Sequence, residues 1–194
     1  MDYLENIRRR KQISKKVNDR YKLTTEEKEW CAQNPLYNEK YEEPCYQSDV
    51  IELLPNHTYR ITVVLESCNH LCDTIPLIGV VLGKGEIRAH RLDSSTGEEI
   101  EFVTKILGVL ISKERPVSSF LLKSKNGYMS VKYECQYFDT RMNLFTRESS
   151  IVNLAYGMKK EIINEHKVRY TCKHPLDERN TFKALTFTIN WEQV

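Results

Sequence analysis

The sequence lacks any apolar run approaching the roughly 20 residues that a membrane-spanning helix requires, so we expect no membrane association. The first twelve residues carry several charges but no hydrophobic stretch of the kind found in a secretory signal. A cytoplasmic protein is therefore the simplest expectation. In that compartment the six cysteines are expected to be reduced, and structural disulfides are not favoured.

The sequence also lacks the common catalytic signatures. It has no GxSxG elbow, no HExxH helix and no phosphate-binding loop, because Gly83-Lys84-Gly85 is without the further glycine and the Ser/Thr that such a loop needs. A catalytic triad defined only by geometry leaves no such trace. The motif search nevertheless favours a protein that is not an enzyme and uses no cofactor.

One loop resembles a metal site weakly. Cys68, His70 and Cys72 carry ligand types that zinc prefers, and Cys172 with His174 could complete the set across the fold. The spacing, however, lacks the CxxC pair of a zinc knuckle. We favour a polar loop with incidental thiols, and no metal is expected.

Composition supports a folded core, since 40% of the residues are hydrophobic and 10% aromatic. The clearest pattern lies within 127–148, where Met129, Val131, Tyr133, Cys135 and Tyr137 alternate with polar residues. A period of two is typical of a strand with one buried face and one wet face. The pattern predicts a strand that returns, after a turn, in a central hairpin.

Similar short apolar or alternating segments recur through most of the chain. They predict about nine to eleven strands, with no long helical segments between them. Asn126-Gly127 is the strongest two-residue hairpin signal, and Asp93 to Gly97 is a strong turn. We expect a mainly β protein built as an antiparallel β-sandwich of two packed sheets, with a closed β-barrel as the alternative.

The motif VKYEC at 131–135 is echoed by VRYTC at 168–172. Duplication would produce such an echo. The favoured interpretation is that two core strands meet the same packing demand, because Val, Tyr and Cys all suit a half-buried pleat.

The front of the chain differs from the rest. Residues 1–22 hold eight basic and three acidic residues, a local charge of +5, whereas the whole chain carries +2. Residues 2–22 are predicted to be helical, and Thr24 with Glu27 predicts a capping box that opens a second short helix. We therefore divide the chain into a helical arm and Tyr/Glu/Pro-rich linker at 1–48 and a β domain at 49–194.

A β domain with a charged helical front and no catalytic signature is typical of a binding module. We expect protein–protein recognition, as in an accessory protein of a bacterium or mobile element, or an inhibitor that occludes a larger partner. The predicted contact residues are the cations of the arm and two tyrosines of the linker: Arg8, Arg9, Arg10, Lys11, Lys15, Lys16, Tyr37 and Tyr41.

Two alternatives stay open. The first is nucleic-acid binding through the same basic arm, by ion pairing with phosphates. A basic strand face carrying Lys167, Arg169, Thr171 and Lys173 could add to it, although strands facing water carry lysine routinely. The second alternative is a zinc- or thiol-dependent enzyme, which predicts bound metal or one unusually reactive cysteine.

Overall fold

A computed structural model describes residues 3–37, 45–69, 74–139, 144–146, 157–173 and 182–194. Its two helices are α1 (Tyr3–Asn18) and α2 (Thr25–Gln33), at the front of the chain as predicted. The predicted capping box is confirmed. The Thr24 hydroxyl accepts from the Glu27 amide at 3.2 Å, and the Glu27 carboxylate accepts from the Thr24 amide at 3.0 Å.

The rest of the described chain consists of strands and their connections. In chain order the strands are β1 (Leu36–Tyr37), β2 (Tyr46–Glu52), β3 (Thr58–Cys68), β4 (Thr74–Val81), β5 (Gly85–Leu92), β6 (Glu99–Thr104), β7 (Ile106–Leu110), β8 (Val117–Ser124), β9 (Tyr128–Asp139), β10 (Leu144–Thr146), β11 (Met158–Asn164), β12 (Lys167–Cys172) and β13 (Leu185–Gln193).

These strands form one antiparallel sheet in the order β6-β5-β8-β3-β13-β12-β11-β2-β9-β4-β7, with β1 beside β2 and β10 beside β9. The mainly β class, the antiparallel pairing and the N-terminal helices are thus confirmed. The sheet is nearly closed and barrel-like, so it is not clearly the two-sheet sandwich that we favoured, and the barrel alternative fits. The division at 48/49 stays a prediction.

The sheet curls because three long segments of the chain bend at short connections that lie next to one another, between β4 and β5, between β6 and β7, and between β8 and β9. Strands β6 and β7 are separated only by Lys105, whose carbonyl accepts from the Leu82 amide at 2.8 Å between β4 and β5. At the same level the Lys125 amide donates to the Lys84 carbonyl at 2.9 Å. The segments 74–92, 99–110 and 117–139 therefore pass from one half of the sheet to the other, and both ends of the strand order lie on the 99–110 segment.

The hairpin predicted at Asn126-Gly127 is wrong. Gly127 has the positive φ of 78° that a tight turn needs, but β8 pairs with β3 and β5 while β9 pairs with β2 and β4. The Ser124 hydroxyl bonds both the amide and the carbonyl of Tyr128, which fixes a bend instead. The turn conformation at Gly127 is therefore as the sequence predicts, but the strands on either side of it pair with other strands and not with each other.

The predicted central hairpin is confirmed, because β9 pairs with β10. A further hairpin pairs β11 with β12 around Glu165-His166. The turn at Asp93 is also present, since its carboxylate accepts from the amides of Ser95 and Thr96. Among the described residues no helix is long and apolar enough to cross a membrane.

The inward faces of the alternating strands form the core. In β13 these residues are Leu185, Phe187, Ile189 and Trp191, all buried as the alternation predicts. The two echo motifs also point inward: Val131, Tyr133, Val168, Tyr170 and Cys172 are all buried. This placement agrees with a shared packing demand. It does not test duplication.

Candidate functional site

The helical front end is held together by Arg10. Its guanidinium donates to the carbonyls of Cys31 at 2.9 Å and Pro35 at 3.3 Å, and also to the carbonyl of Asn34. These carbonyls belong to the last turn of α2 and the residues after it, where helix carbonyls have no intrahelical partner. Burial lowers the pKa of the Arg10 guanidinium, with the nearby Cys31 acting in the opposite direction.

Trp30 completes this contact. The guanidinium of Arg9 lies 4.7 Å from the indole centroid and that of Arg10 lies 5.4 Å from it, so both make cation–π contacts with the buried ring. Two of the arginines predicted to meet a partner thus contact the chain's own tryptophan.

The remaining predicted cations differ in their contacts and exposure. Lys16 forms an ion pair with Glu27, which lowers the pKa of that carboxyl. Arg8, Lys11 and Lys15 are exposed on α1, and within the described residues Arg8 and Lys15 form no ion pair.

The linker tyrosines connect the front end to the barrel. Tyr37 packs edge-on against Tyr3, with ring centroids 4.7 Å apart, and tilted against Tyr46 at 4.9 Å. The Tyr37 and Tyr46 hydroxyls share a hydrogen bond, and burial raises the pKa of both. Tyr37 therefore holds α1 against β2. Tyr41, the other predicted contact tyrosine, lies outside the described residues.

Behind these rings lies a polar cluster that the sequence analysis missed. Asp49 of β2 is 2% exposed, and its Oδ2 accepts from the Tyr170 hydroxyl at 2.6 Å and from the Lys160 ammonium at 2.8 Å. The Lys160 nitrogen also lies 6.0 Å from the Tyr46 ring centroid. Burial raises the pKa of Tyr170 well above its usual value, so this phenol stays protonated and acts as a donor.

This cluster suits a structural role better than a catalytic one. A buried carboxylate needs compensating donors, and Asp49 receives one from an ammonium and one from a phenol. The three side chains come from β2, β11 and β12 and so link these strands. The sequence signal was the spacing: Asp49 lies two residues before the buried Ile51, so strand alternation places both side chains on the inward face.

The thiol and metal candidates lie apart. Among the described cysteines, Cys45 and Cys172 are buried, whereas Cys31 and Cys68 are partly exposed. Burial raises the pKa of Cys45 to about 11, so this thiol is protonated near neutral pH and is a poor nucleophile.

Of the weak metal candidates, Cys68 ends β3, whereas His70 and Cys72 fall outside the described residues. The described part of the chain contains no group of three His, Cys, Asp or Glu side chains that could hold a metal ion.

The basic strand face predicted around Arg169 is largely neutralised. Arg169 donates to Glu66 at 2.8 Å and to Glu161 at 2.9 Å, and these pairs raise its pKa. Lys173 is almost buried. A phosphate backbone approaching this face would have to displace two carboxylates.

Three strongly exposed apolar side chains lie at the edge of the sheet. Val103 is 59% exposed, Ile106 65% and Leu110 58%, and all three lie within eight residues of the bent segment 99–110. This segment occupies both ends of the strand order, where one side of each strand has no sheet neighbour among the described residues. Exposed apolar side chains along an unpaired strand edge are typical of a surface that another strand or protein covers.

Neither a protein-family model nor a curated protein matches this sequence. The case for function therefore depends on the geometry above.

Proposed function

We propose that this chain is a non-enzymatic binding module that recognises another protein along the β6–β7 edge of its barrel-like sheet. The observation that carries the proposal is the exposed apolar set of Val103, Ile106 and Leu110, on an edge that has no sheet neighbour among the described residues. A bound protein could cover these side chains, and one extended segment of it could hydrogen-bond the edge backbone of β6. Such a module could serve as an accessory protein, or as an inhibitor that occludes a larger partner.

The front end has a supporting role in this proposal. Arg9, Arg10, Lys16 and Tyr37 make contacts within the chain, which argues for a helical brace on the barrel. Arg8 and Lys15 remain exposed and could add ion pairs at the periphery of a protein interface. Nucleic-acid binding through α1 stays a prediction, which salt titrations of the full chain with DNA and RNA would test.

Site-specific crosslinking tests the proposed surface. A photo-crosslinking residue at Val103 is expected to trap a discrete protein adduct in cells that naturally produce the chain. The matched control places the same residue at Ile162, which is 71% exposed on β11 and distant in strand order. Equal adducts at both positions, or none at Val103, would overturn the edge as the recognition surface. Mass spectrometry identifies the adducts.

A further inference from the structure

The outward backbone groups of β6 can be assigned from its neighbours. The Asp93 amide donates to the Glu98 carbonyl at 2.8 Å, and beyond that point Arg91 faces Ile100 and Ala89 faces Phe102. Antiparallel ladders alternate between hydrogen-bonded and non-hydrogen-bonded pairs. Ile100, Phe102 and Thr104 therefore bond toward β5, and the intervening residues turn their amides and carbonyls away from it.

The other side of β5 supports this assignment independently. The Lys84 carbonyl accepts from the Lys125 amide at 2.9 Å, so the alternation makes Arg88 a hydrogen-bonded partner of Leu121 in β8. Arg88 cannot then use the same groups toward Val103, which faces it across the β5–β6 pair. The free edge of β6 consequently presents the backbone groups of Glu99, Glu101 and Val103.

The side chains of the same three residues share the outer face, because strand side chains alternate. All three are exposed, and Glu101 lies 3.8 Å from His90 on the neighbouring strand. The segment that leads into this edge is acidic, since residues 93–101 contain four acidic side chains and no basic one, and Arg88, which faces Val103 on β5, is paired with Glu86. An added strand would meet two carboxylates and then a valine.

The usable edge ends just after Val103. The Thr104 hydroxyl accepts from the Ile106 amide at 3.1 Å and donates to its carbonyl at 2.9 Å, and the Lys105 carbonyl already accepts from Leu82. These contacts occupy the backbone at the bend. The docking register is therefore limited to about five residues.

Building on the proposed function, we propose that β6 is a strand-addition site for an extended basic segment of a partner protein. Antiparallel addition places an apolar residue opposite Val103, then a lysine or arginine opposite Glu101 and another opposite Glu99. The recognised pattern is an apolar residue followed by cations two and four positions later. Backbone bonds supply affinity, and the two carboxylates supply specificity.

A second copy of this chain fits the edge poorly. Antiparallel self-pairing through the same three residues would centre on Glu101 and place it directly opposite its own copy, with Glu99 opposite Val103. Like charges directly opposite each other destabilise a strand pair. Charge complementarity thus favours a basic partner segment over self-association.

Peptide titration against the full chain tests the proposal. The probe is an acetylated, amidated peptide with the core valine–threonine–lysine–threonine–lysine, and its control carries glutamates in place of both lysines. Fluorescence anisotropy is expected to show binding of the lysine peptide that is on the order of tenfold tighter than that of the control. The double variant Glu99→Lys/Glu101→Lys should reverse this preference.

A backbone variant separates strand addition from simple charge attraction. Val103→Pro removes the outward amide without removing a β5 bond, since proline is tolerated on a strand edge, and it should weaken the lysine peptide. Val103→Thr keeps the amide and should bind like the parent. Equal binding of both peptides, or no effect of Val103→Pro, would contradict the inference. A concentration-dependent dimer that Val103→Pro abolishes would instead assign the edge to a second copy.

The two proposals fail in distinguishable ways. A natural protein adduct at Val103 combined with peptides that bind without charge preference retains the recognition surface and removes the basic-strand assignment. Charge-selective peptide binding without any adduct would retain the assignment of β6 as a site for a basic strand. It would remove the proposal that the chain recognises another protein in the cell through this edge.

Discussion

At the scale of single residues, the hydroxyl of Tyr170 and the ammonium of Lys160 together compensate the buried carboxylate of Asp49. The phenol is fully buried, so water cannot replace the hydrogen bond between Tyr170 and Asp49. This arrangement connects the strand that begins the barrel, β2, to strands more than 100 residues later, because Asp49 and Tyr170 are 121 positions apart. The cluster is thus a long-range link.

Tyr170→Phe is expected to lower the free energy of unfolding by about 1–3 kcal/mol at pH 7, since it leaves a buried acceptor with one donor fewer. The pKa of Tyr170 is raised in the folded state, whereas the unfolded phenol ionises near its usual value of about 10. The parent chain therefore loses stability as the pH rises above about 10. Denaturant titrations between pH 7 and pH 11 should show the gap to Tyr170→Phe narrowing.

The matched control is Tyr59→Phe. Tyr59 is also buried, but its hydroxyl accepts from the backbone amide of Leu54 at 2.9 Å and does not contact a carboxylate. Its removal should cost less, about 1 kcal/mol. Equal losses in the two variants would show that Lys160 alone satisfies Asp49.

Sequence patterns could predict half of this cluster. The alternation around Val168 and Tyr170 places the tyrosine inward, and the structure confirms it. Alternation also places Asp49 on the inward face with Ile51, but nothing local identifies the donors that a buried carboxylate needs, because they come from β11 and β12. The donors that compensate a buried charge can lie anywhere along the chain, so no periodic pattern in the sequence identifies them.

At the scale of secondary-structure elements, the helix pair depends on an unusual anchor. Helix α1 buries only Asn6 and Ile13, so its apolar stripe is narrow. The guanidinium of Arg10 compensates by reaching across to the C-terminal carbonyls of α2. A polar residue thus positions a helix that has little hydrophobic surface to bury.

Arg10→Ala is expected to loosen this helix pair, lowering its stability by about 1–3 kcal/mol through lost hydrogen bonds and a lost cation–π contact. Hydrogen exchange should show faster exchange of the α1 amides, with the barrel strands unchanged. Arg8→Ala removes an exposed neighbour of the same type and should change stability by less than about 0.5 kcal/mol. Identical exchange in the two variants would mean that Arg10 is not the anchor.

Elements were more predictable than their partners. Alternation located β9, and the capping residues located the start of α2. The partners of β8 and β9 could not be predicted from Asn126-Gly127, because a tight turn can join two paired strands in a hairpin or only bend the chain between strands that pair elsewhere. Which one forms depends on the strands that lie beside each arm, namely β3 and β5 for β8.

At the scale of the whole molecule, the charge is distributed so that opposite signs occupy different elements. The segment 1–22 carries a local +5, whereas the β5–β6 hairpin tip is acidic. The positive arm is partly compensated by contacts within the chain, since Lys16 pairs with Glu27 and Arg10 binds backbone carbonyls. Beside the acidic tip lies the edge of β6, which pairs with no further strand in the described part of the chain. This asymmetry favours the edge as the recognition surface.

Nucleic-acid binding tests that conclusion against its main rival. If Arg8, Lys15, Arg20 and Lys22, the exposed arm cations without a described ion pair, are the ones available to phosphates, log K should fall with log salt with a slope of about −3.6, and affinity should be weak at physiological salt. Anisotropy titrations of the full chain with generic duplex DNA, single-stranded DNA and RNA measure this slope. Beside them we would titrate a chain starting at Leu23 and the double variant Arg8→Ala/Lys15→Ala.

A second double variant, Arg60→Ala/Lys113→Ala, is the control, because it removes the same net charge from exposed positions outside the arm. Tight binding that survives physiological salt, shows a slope much steeper than about −3.6 and vanishes only when the arm is altered would make nucleic-acid binding the favoured function. In that case the cations within the helix pair would have to exchange their internal contacts for phosphates. Weak, arm-independent binding would instead leave protein recognition at the β6–β7 edge as the function that the charge distribution favours.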